Sequence, residues 1–160
     1  MLRSLMNPYA SHLGSRDALT VIAGTAQELG GRTSTLTAEA AERAPGPGKW
    51  SVRQIVCHLA DTEIAFSFRL RQALAEPNHV IQPFDQDRWG ERYGAYDLAS
   101  ALESFASLRR WNLSLLQSLK PEDFSRPLSH PERGPMVFQT LVETMAGHDL
   151  NHLKQMEGCL

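Results

Sequence analysis

His148 and His152 lie four residues apart in the run AGHDLNHL. On a helix that spacing projects both rings from one face, which is how a single helix supplies two ligands to one metal ion. The same face collects Leu141, Met145, Gln155 and Cys159 at steps of three and four, so it is expected to turn toward a core. Unpaired polar groups buried there cost on the order of 1–3 kcal/mol each. Two kinds of partner are open to the rings, a metal ion or neighbouring carbonyls and carboxylates. His58 weighs toward the metal. It sits mid-helix at the edge of another apolar stripe, and a bundle assembles its metal sites from side chains on facing helices. Only eight residues follow His152, which leaves little room for a ligand from downstream. Three neutral imidazoles with open positions describe a catalytic-type site for Zn²⁺, Ni²⁺ or a similar divalent ion, not a closed structural one.

Two acids stand beside these rings as candidate catalytic carboxylates. Asp149 follows His148 directly, where the HExxH helix of a zinc peptidase carries its Glu. An Asp is shorter, so a solvated or ligand-orienting role competes with that of general base. Asp61, one turn from His58, orients that ring, receives a proton or faces solvent. Cys57 points about 100° away from His58 and is expected to be a small buried hydrophobe. His12, His79 and His130 lie near Pro or Gly and read as ordinary loop histidines. Phe84, Trp89 and Tyr93 either wall a pocket or pin the loop that carries them, and Arg109 either binds an anionic group or pairs on the surface. Other chemistries fail on inspection. GPGKWS lacks the spacing of a phosphate loop, no GxSxG elbow exists, and the single ExxH match, Glu76 to His79, contains Pro77.

Four helical stretches must position these residues. The first runs from about Asp17 to Leu29 with Leu19, Ile22, Ala26 and Leu29 on one face, and Gly30-Gly31 is expected to end it. A connector over 32–50 holds a short helix beginning near Thr37. Ser51 and Gln54 form the capping-box pattern that opens the second helix, which continues without Gly or Pro to about Leu74. Its inner stripe is Ile55, Leu59, Thr62, Phe66 and Leu70. Residues 75–96 form the longest non-helical segment. Asp97 caps a third helix to about Leu119, and a Pro-rich connector leads to a fourth, from about Met136 almost to the end. No strand is predicted. The pattern reads as one all-α domain over 1–160, a four-helix bundle. If the long 75–96 connector crosses the bundle, the second and third helices run the same way and the order is up-down-down-up; the first connector, nearly as long, leaves a simple up-and-down order open as well.

Composition narrows the function. The chain has 160 residues with Lys+Arg 16 against Asp+Glu 18, a net charge of −2, and no basic stripe, so no nucleic-acid partner is expected. No apolar run approaches the ~20 residues needed to span a bilayer, and no export signal is visible. Two cysteines make no disulfide framework, and a reducing cytoplasm is the expected home.

Taken together, GKWSVRQIVCHLADTE, PFDQDRWGERY and HPERGPMVFQTLVETMAGHDLNHLKQME resemble the DinB/YfiT-like superfamily. The resemblance covers nearly the whole chain and implies an up-down-down-up four-helix bundle. It also implies a metal triad of His58, His148 and His152, zinc or nickel as the metal, and a homodimer. Characterised members of that superfamily include thiol-dependent S-transferases using bacillithiol, mycothiol or glutathione, and a maleylpyruvate isomerase. The expectation drawn from it is S-transfer or detoxification of a small-molecule substrate, in which the metal holds a low-molecular-weight thiol as thiolate. Two alternatives stand beside it. One is a metal-dependent hydrolase assisted by Asp61 or Asp149, and the other a non-catalytic, stress-related protein whose metal serves stability.

Overall fold

Residues 6–160 are described by a computed structural model. Its helices are α1 Ala10–Leu13, α2 Ala18–Thr33, α3 Ala38–Glu42, α4 Val52–Ala75, α5 Gln86–Gly90, α6 Leu98–Gln117 and α7 Phe138–Glu157. Short strands β1 His79–Val80, β2 Pro127–His130 and β3 Gly134–Val137 complete the regular elements. The long helices α2, α4, α6 and α7 form the bundle.

Local chemistry sets where these helices begin. The Ser51 hydroxyl accepts from the Gln54 N–H at 3.3 Å, and the Gln54 side chain accepts from the Ser51 N–H at 2.9 Å, closing the predicted capping box on α4. Asp97 accepts from the Ser100 N–H at 2.7 Å to start α6, and Asp17 accepts from the Thr20 N–H at 2.8 Å to start α2. Each such cap is worth about 1 kcal/mol.

Two expectations are corrected. Gly30-Gly31 do not end α2, which runs on to Thr33. Arg32 explains the extension, because it donates to the Leu153 carbonyl at 2.8 Å and pairs with Glu28 and Glu157. Anchored in this way, the last turn tolerates two glycines that cost about 1 kcal/mol each relative to Ala. The connectors are not strand-free either. β2 and β3 form an antiparallel hairpin, Pro127 opposite Val137 and His130 opposite Gly134, and β1 adds to β2 in parallel. Gly134 has φ +80°, the left-handed conformation that closes such a hairpin. The 75–96 segment likewise holds β1, α5 and a 3₁₀ turn over Tyr93–Ala95.

The core falls into two apolar clusters separated by a polar layer. One gathers Ile22, Phe66, Leu70, Leu116, Phe138 and Met145, among others; the second gathers Leu29, Ile55, Leu59, Phe105, Leu153 and Met156. Between them every long helix contributes buried polar groups: Thr25 from α2, His58, Thr62 and Glu63 from α4, Arg109 and Asn112 from α6, and His148, Asp149 and His152 from α7. No helix among the described residues is long and apolar enough to cross a membrane.

Candidate metal centre

The polar layer brings His58 of α4 against His148 and His152 of α7. His148 Nε2 lies 3.0 Å from His58 Nε2 and 3.1 Å from His152 Nε2, and the three rings are buried. Among the described residues this is the group of histidines, cysteines and acids whose ligand atoms converge as a metal site requires. All three rings are held neutral. Burial, reinforced by His152, lowers His58 to about 3, and burial lowers His152 to about 4 against the opposing hydrogen bond from Gln155. Burial and the two neighbouring rings hold His148 well below the usual histidine range.

Surrounding groups fix the tautomers. His152 Nδ1 lies 2.8 Å from Gln155 Oε1, an atom that can only accept, so Nδ1 carries the proton and Nε2 presents a lone pair. His58 Nδ1 lies 3.3 Å from the Tyr93 hydroxyl, and Thr62 Oγ1 lies 3.4 Å from His58 Nε2. Burial raises the Tyr93 phenol, with Asp61 adding to the effect, so it stays protonated. Arg53 places Tyr93 there. Its guanidinium donates to the Tyr93 and Tyr96 carbonyls at 2.5 and 2.8 Å and ties the long connector to the first turn of α4.

Two further aromatics cover the triad. The Trp50 ring packs 4.7 Å from His58 and 6.2 Å from His152, and Tyr9 meets His148 edge-on at 5.2 Å. A Cβ at Gly147 would lie 2.6 Å from the Tyr9 carbonyl oxygen, so the glycine before His148 is what lets the N-terminal segment lie against α7. Clefts open on either side. One of about 580 Å³ is lined by Trp50, Lys49, Asp87, His152 and Gln155; the other, about 350 Å³, by Tyr9, Thr62, Arg69, His130 and His148.

Neither candidate acid belongs to the converging group. Asp149 Oδ2 accepts from Arg109 at 2.6 Å and from Thr25 at 2.8 Å, and its Oδ1 accepts from Arg109 at 3.1 Å. Asp61 is half-buried, with its carboxyl raised by burial, and it lines neither cleft at the triad. Arg109 does not pair on the surface; the anionic groups that it binds are carboxylates of the chain itself. It is 1% exposed and forms a fork with Glu63 at 3.0 and 2.8 Å as well as with Asp149. Burial acts to lower its pKa, yet the Asp149 and Glu63 charges outweigh burial and hold it above the ordinary value.

Other sequence readings resolve in the same way. Cys57 is buried, and burial raises its thiol. His79 and His130 are not loop histidines but buried strand residues, and His12 belongs to α1. Of the loop aromatics Tyr93 reaches the triad, whereas Trp89 packs on Phe84 at 4.7 Å and remains 37% exposed. Trp50, Tyr9 and Gln155 join the site although their residue types alone point to no chemistry. The signal for Trp50 lay in its position just before a capping box, where an apolar residue commonly staples the helix entry.

Known proteins resemble this chain in sequence and in fold. A 'Putative metal-dependent hydrolase' of Oceanobacillus iheyensis is 38% identical over 111 residues, covering 66% of this chain and 62% of that protein. One of the same description from Bacillus mycoides is 30% identical over 106 residues, covering 66% and 61%. The matched region thus spans less than two thirds of the length of these curated relatives. Among solved structures, YfiT from Bacillus subtilis, described as 'a probable metal-dependent hydrolase with an unusual four-helix bundle topology', superposes with a TM-score of 0.82. That match is at 23% identity over 89% of this chain and 83% of YfiT, and it establishes the four-helix-bundle fold. The sequence pattern of the DinB superfamily runs through residues 22–156, including all three histidines of the triad, and the chain belongs to that superfamily.

Proposed function

We propose that this protein is a metal-dependent hydrolase whose divalent ion is held by His58, His148 and His152. The observation that carries the reading is the convergence of the Nε2 atoms of three neutral, buried rings at 3.0 and 3.1 Å. Nitrogens about 2.0–2.1 Å from a shared zinc ion stand roughly 3.3 Å apart, so this spacing fits one cation. A trio of imidazoles also suits zinc or nickel better than a hard ion such as Ca²⁺. Bound there, the ion supplies Lewis acidity toward water and toward the carbonyl of an ester, amide or lactone.

The chain's own residues hold and shield the site. Gln155 and Tyr93 orient two rings, Trp50 and Tyr9 limit access of water, and Thr62 places a hydroxyl beside His58. Asp149 is assigned a positioning role through Arg109, because both of its oxygens are already engaged. Asp61 acts on the Tyr93 phenol through its charge, which helps to keep that phenol protonated. The description 'Putative metal-dependent hydrolase' of the relatives at 30–38% identity favours hydrolysis over thiol-dependent transfer.

The same reading includes an up-down-down-up helix order, which the core supports. Along α2 and α7 the first apolar cluster precedes the second, and along α4 and α6 the order is reversed. A homodimer in the cytoplasm completes it. The test is elemental analysis of untagged protein purified without chelator or nickel resin, beside His152→Ala. Near-stoichiometric metal in the wild type alone, followed by metal-dependent turnover in a panel of esters, amides and lactones without thiol, is the expected result. No uptake of added Zn²⁺, Ni²⁺ or Mn²⁺ would reduce the triad to core histidines. Metal without turnover favours the non-catalytic, stress-related role in which the metal serves stability.

A further inference from the structure

The 350 Å³ cleft beside His148 gathers positive charge that its own walls leave unbalanced. Arg69 from α4, Arg133 from the β2–β3 turn and His130 from β2 line it together with His148. Among the described residues the one carboxylate in the lining is Glu132, which is exposed. Among the described residues neither Arg69 nor Arg133 forms an ion pair. The crowding is felt electrostatically. Burial, followed by the charge of Arg133, lowers Arg69 to about 10, and burial with the two arginines lowers His130.

Arg69 is held ready for a ligand. Its Nη2 donates to the Gln82 carbonyl at 3.1 Å, which leaves most of its five N–H donors without a partner among the described residues. The guanidinium carbon sits 5.9 Å from the Phe66 ring centre and 5.4 Å from that of Phe84, so two aromatic rings hold the fork in place. Phe66 also touches the His148 ring at 6.2 Å, and one phenyl group therefore links the cation to the triad. His130 Nδ1 accepts from the Glu132 N–H at 3.2 Å, which makes Nε2–H the donor of its neutral ring.

We propose that this cleft seats an oxyanion of the substrate, a carboxylate or phosphate held by Arg69 and Arg133, with His130 as an additional donor. The substrate is then a small acid whose hydrolysable bond lies against His58, His148 and His152. The statement about the bond rests on the hydrolase reading above, whereas the oxyanion seat does not. An Arg fork pairs with carboxylate and phosphate alike, and a cleft of this size falls at the small end of ligand sites.

The test uses metal-free protein, so that no metal competes for the anion. Phenylacetate, phenylphosphonate and the neutral control phenylacetamide are titrated by calorimetry and by NMR shifts. At least one acid is expected to bind at least about tenfold more tightly than the amide, a difference of about 1.4 kcal/mol. Which acid binds identifies the oxyanion. Arg69→Gln and Arg133→Gln should each erase that preference, Arg69→Lys should keep part of it, and His152→Ala should keep all of it. Arg133 lies in a turn, so its variant remains informative even if Arg69→Gln folds poorly. Equal binding of acids and amide, absence of acid binding, or an unchanged preference in both Gln variants overturns the proposal. A protein that takes up no metal yet prefers the acid refutes only the hydrolase reading.

Discussion

Arg109 grips Asp149 through two hydrogen bonds, of 2.6 and 3.1 Å, one residue along α7 from His148. The same guanidinium forks onto Glu63, five residues along α4 from His58. A helix that contributes no ligand to the triad therefore fixes the two helices that do. Charge-assisted, two-pronged bonds hold direction as well as distance, so the network sets the relative rotation of α4 and α7. It also explains the buried acids. Burial raises Glu63, but Arg109 and Asn112 oppose that rise, and Asn112 donates to it at 2.8 Å.

Removing the cation should therefore be severe. Arg109→Met leaves two carboxylates buried without a counter-charge, and the expected loss is about 3–5 kcal/mol in urea unfolding. Adding Glu63→Gln and Asp149→Asn to the same chain should recover much of it, because the uncompensated charges are then gone. A single variant as stable as the wild type would show that the network is not holding the helices together.

Gly147→Ala tests how closely the N-terminal segment covers the triad. The new Cβ would meet the Tyr9 backbone oxygen at 2.6 Å, and neither backbone can give way cheaply. The segment should lift away from α7 at a cost of about 1–3 kcal/mol. Faster hydrogen exchange over residues 7–13, together with easier proteolysis there, is the expected signature. Unchanged exchange would mean that α7 yields instead.

Much of this was readable because helix signals are local. Ser51 and Gln54 announce the start of α4, and the i,i+4 spacing of His148 and His152 places two rings on one face before any fold is known. The sequence leaves Arg109 ambiguous, although Phe105, Arg109, Asn112 and Leu116 continue one buried stripe at steps of four and three. A charge in an apolar stripe names no partner, and Glu63 and Asp149 lie far off in sequence. The strands were missed for a different reason. They are two to four residues long, and two of them contain Pro, so no alternation can show itself. Gly30 and Gly31 misled because Arg32's long-range contacts outweigh a local propensity.

Acid should destabilise the metal-free protein through the triad. Burial and neighbouring rings lower His58 to about 3 and His152 to about 4, with His148 also well below normal, whereas the unfolded rings titrate near 6.5. Below pH ~6.5 the unfolded chain binds protons that the native chain does not, so stability rises with pH in that range. The contribution is complete above about pH 6.5 and is lost as pH falls toward 4, with a slope of at most about 1.4 kcal/mol per pH unit for each ring. Denaturation midpoints followed from pH 7 to pH 4 should fall more steeply for the wild type than for His58→Asn/His152→Asn. Equal slopes would place the acid sensitivity elsewhere.

Metal should act on stability through the same three rings. An ion that binds only the native state stabilises it by about 2.7 kcal/mol at one hundred times its dissociation constant. For a chain of this length that corresponds to a rise in Tm of roughly 5–10 °C. Zn²⁺ or Ni²⁺ added to stripped wild-type protein should produce such a shift, and a chelator should reverse it. His152→Ala should abolish the shift with helicity intact, because the ring meets the side chains of Gln155 and His148 and not the backbone hydrogen bonds of α7. His12→Ala, on α1 and outside the converging nitrogens, should retain the full shift. A shift that survives in His152→Ala but vanishes in His12→Ala would move the metal to a different site.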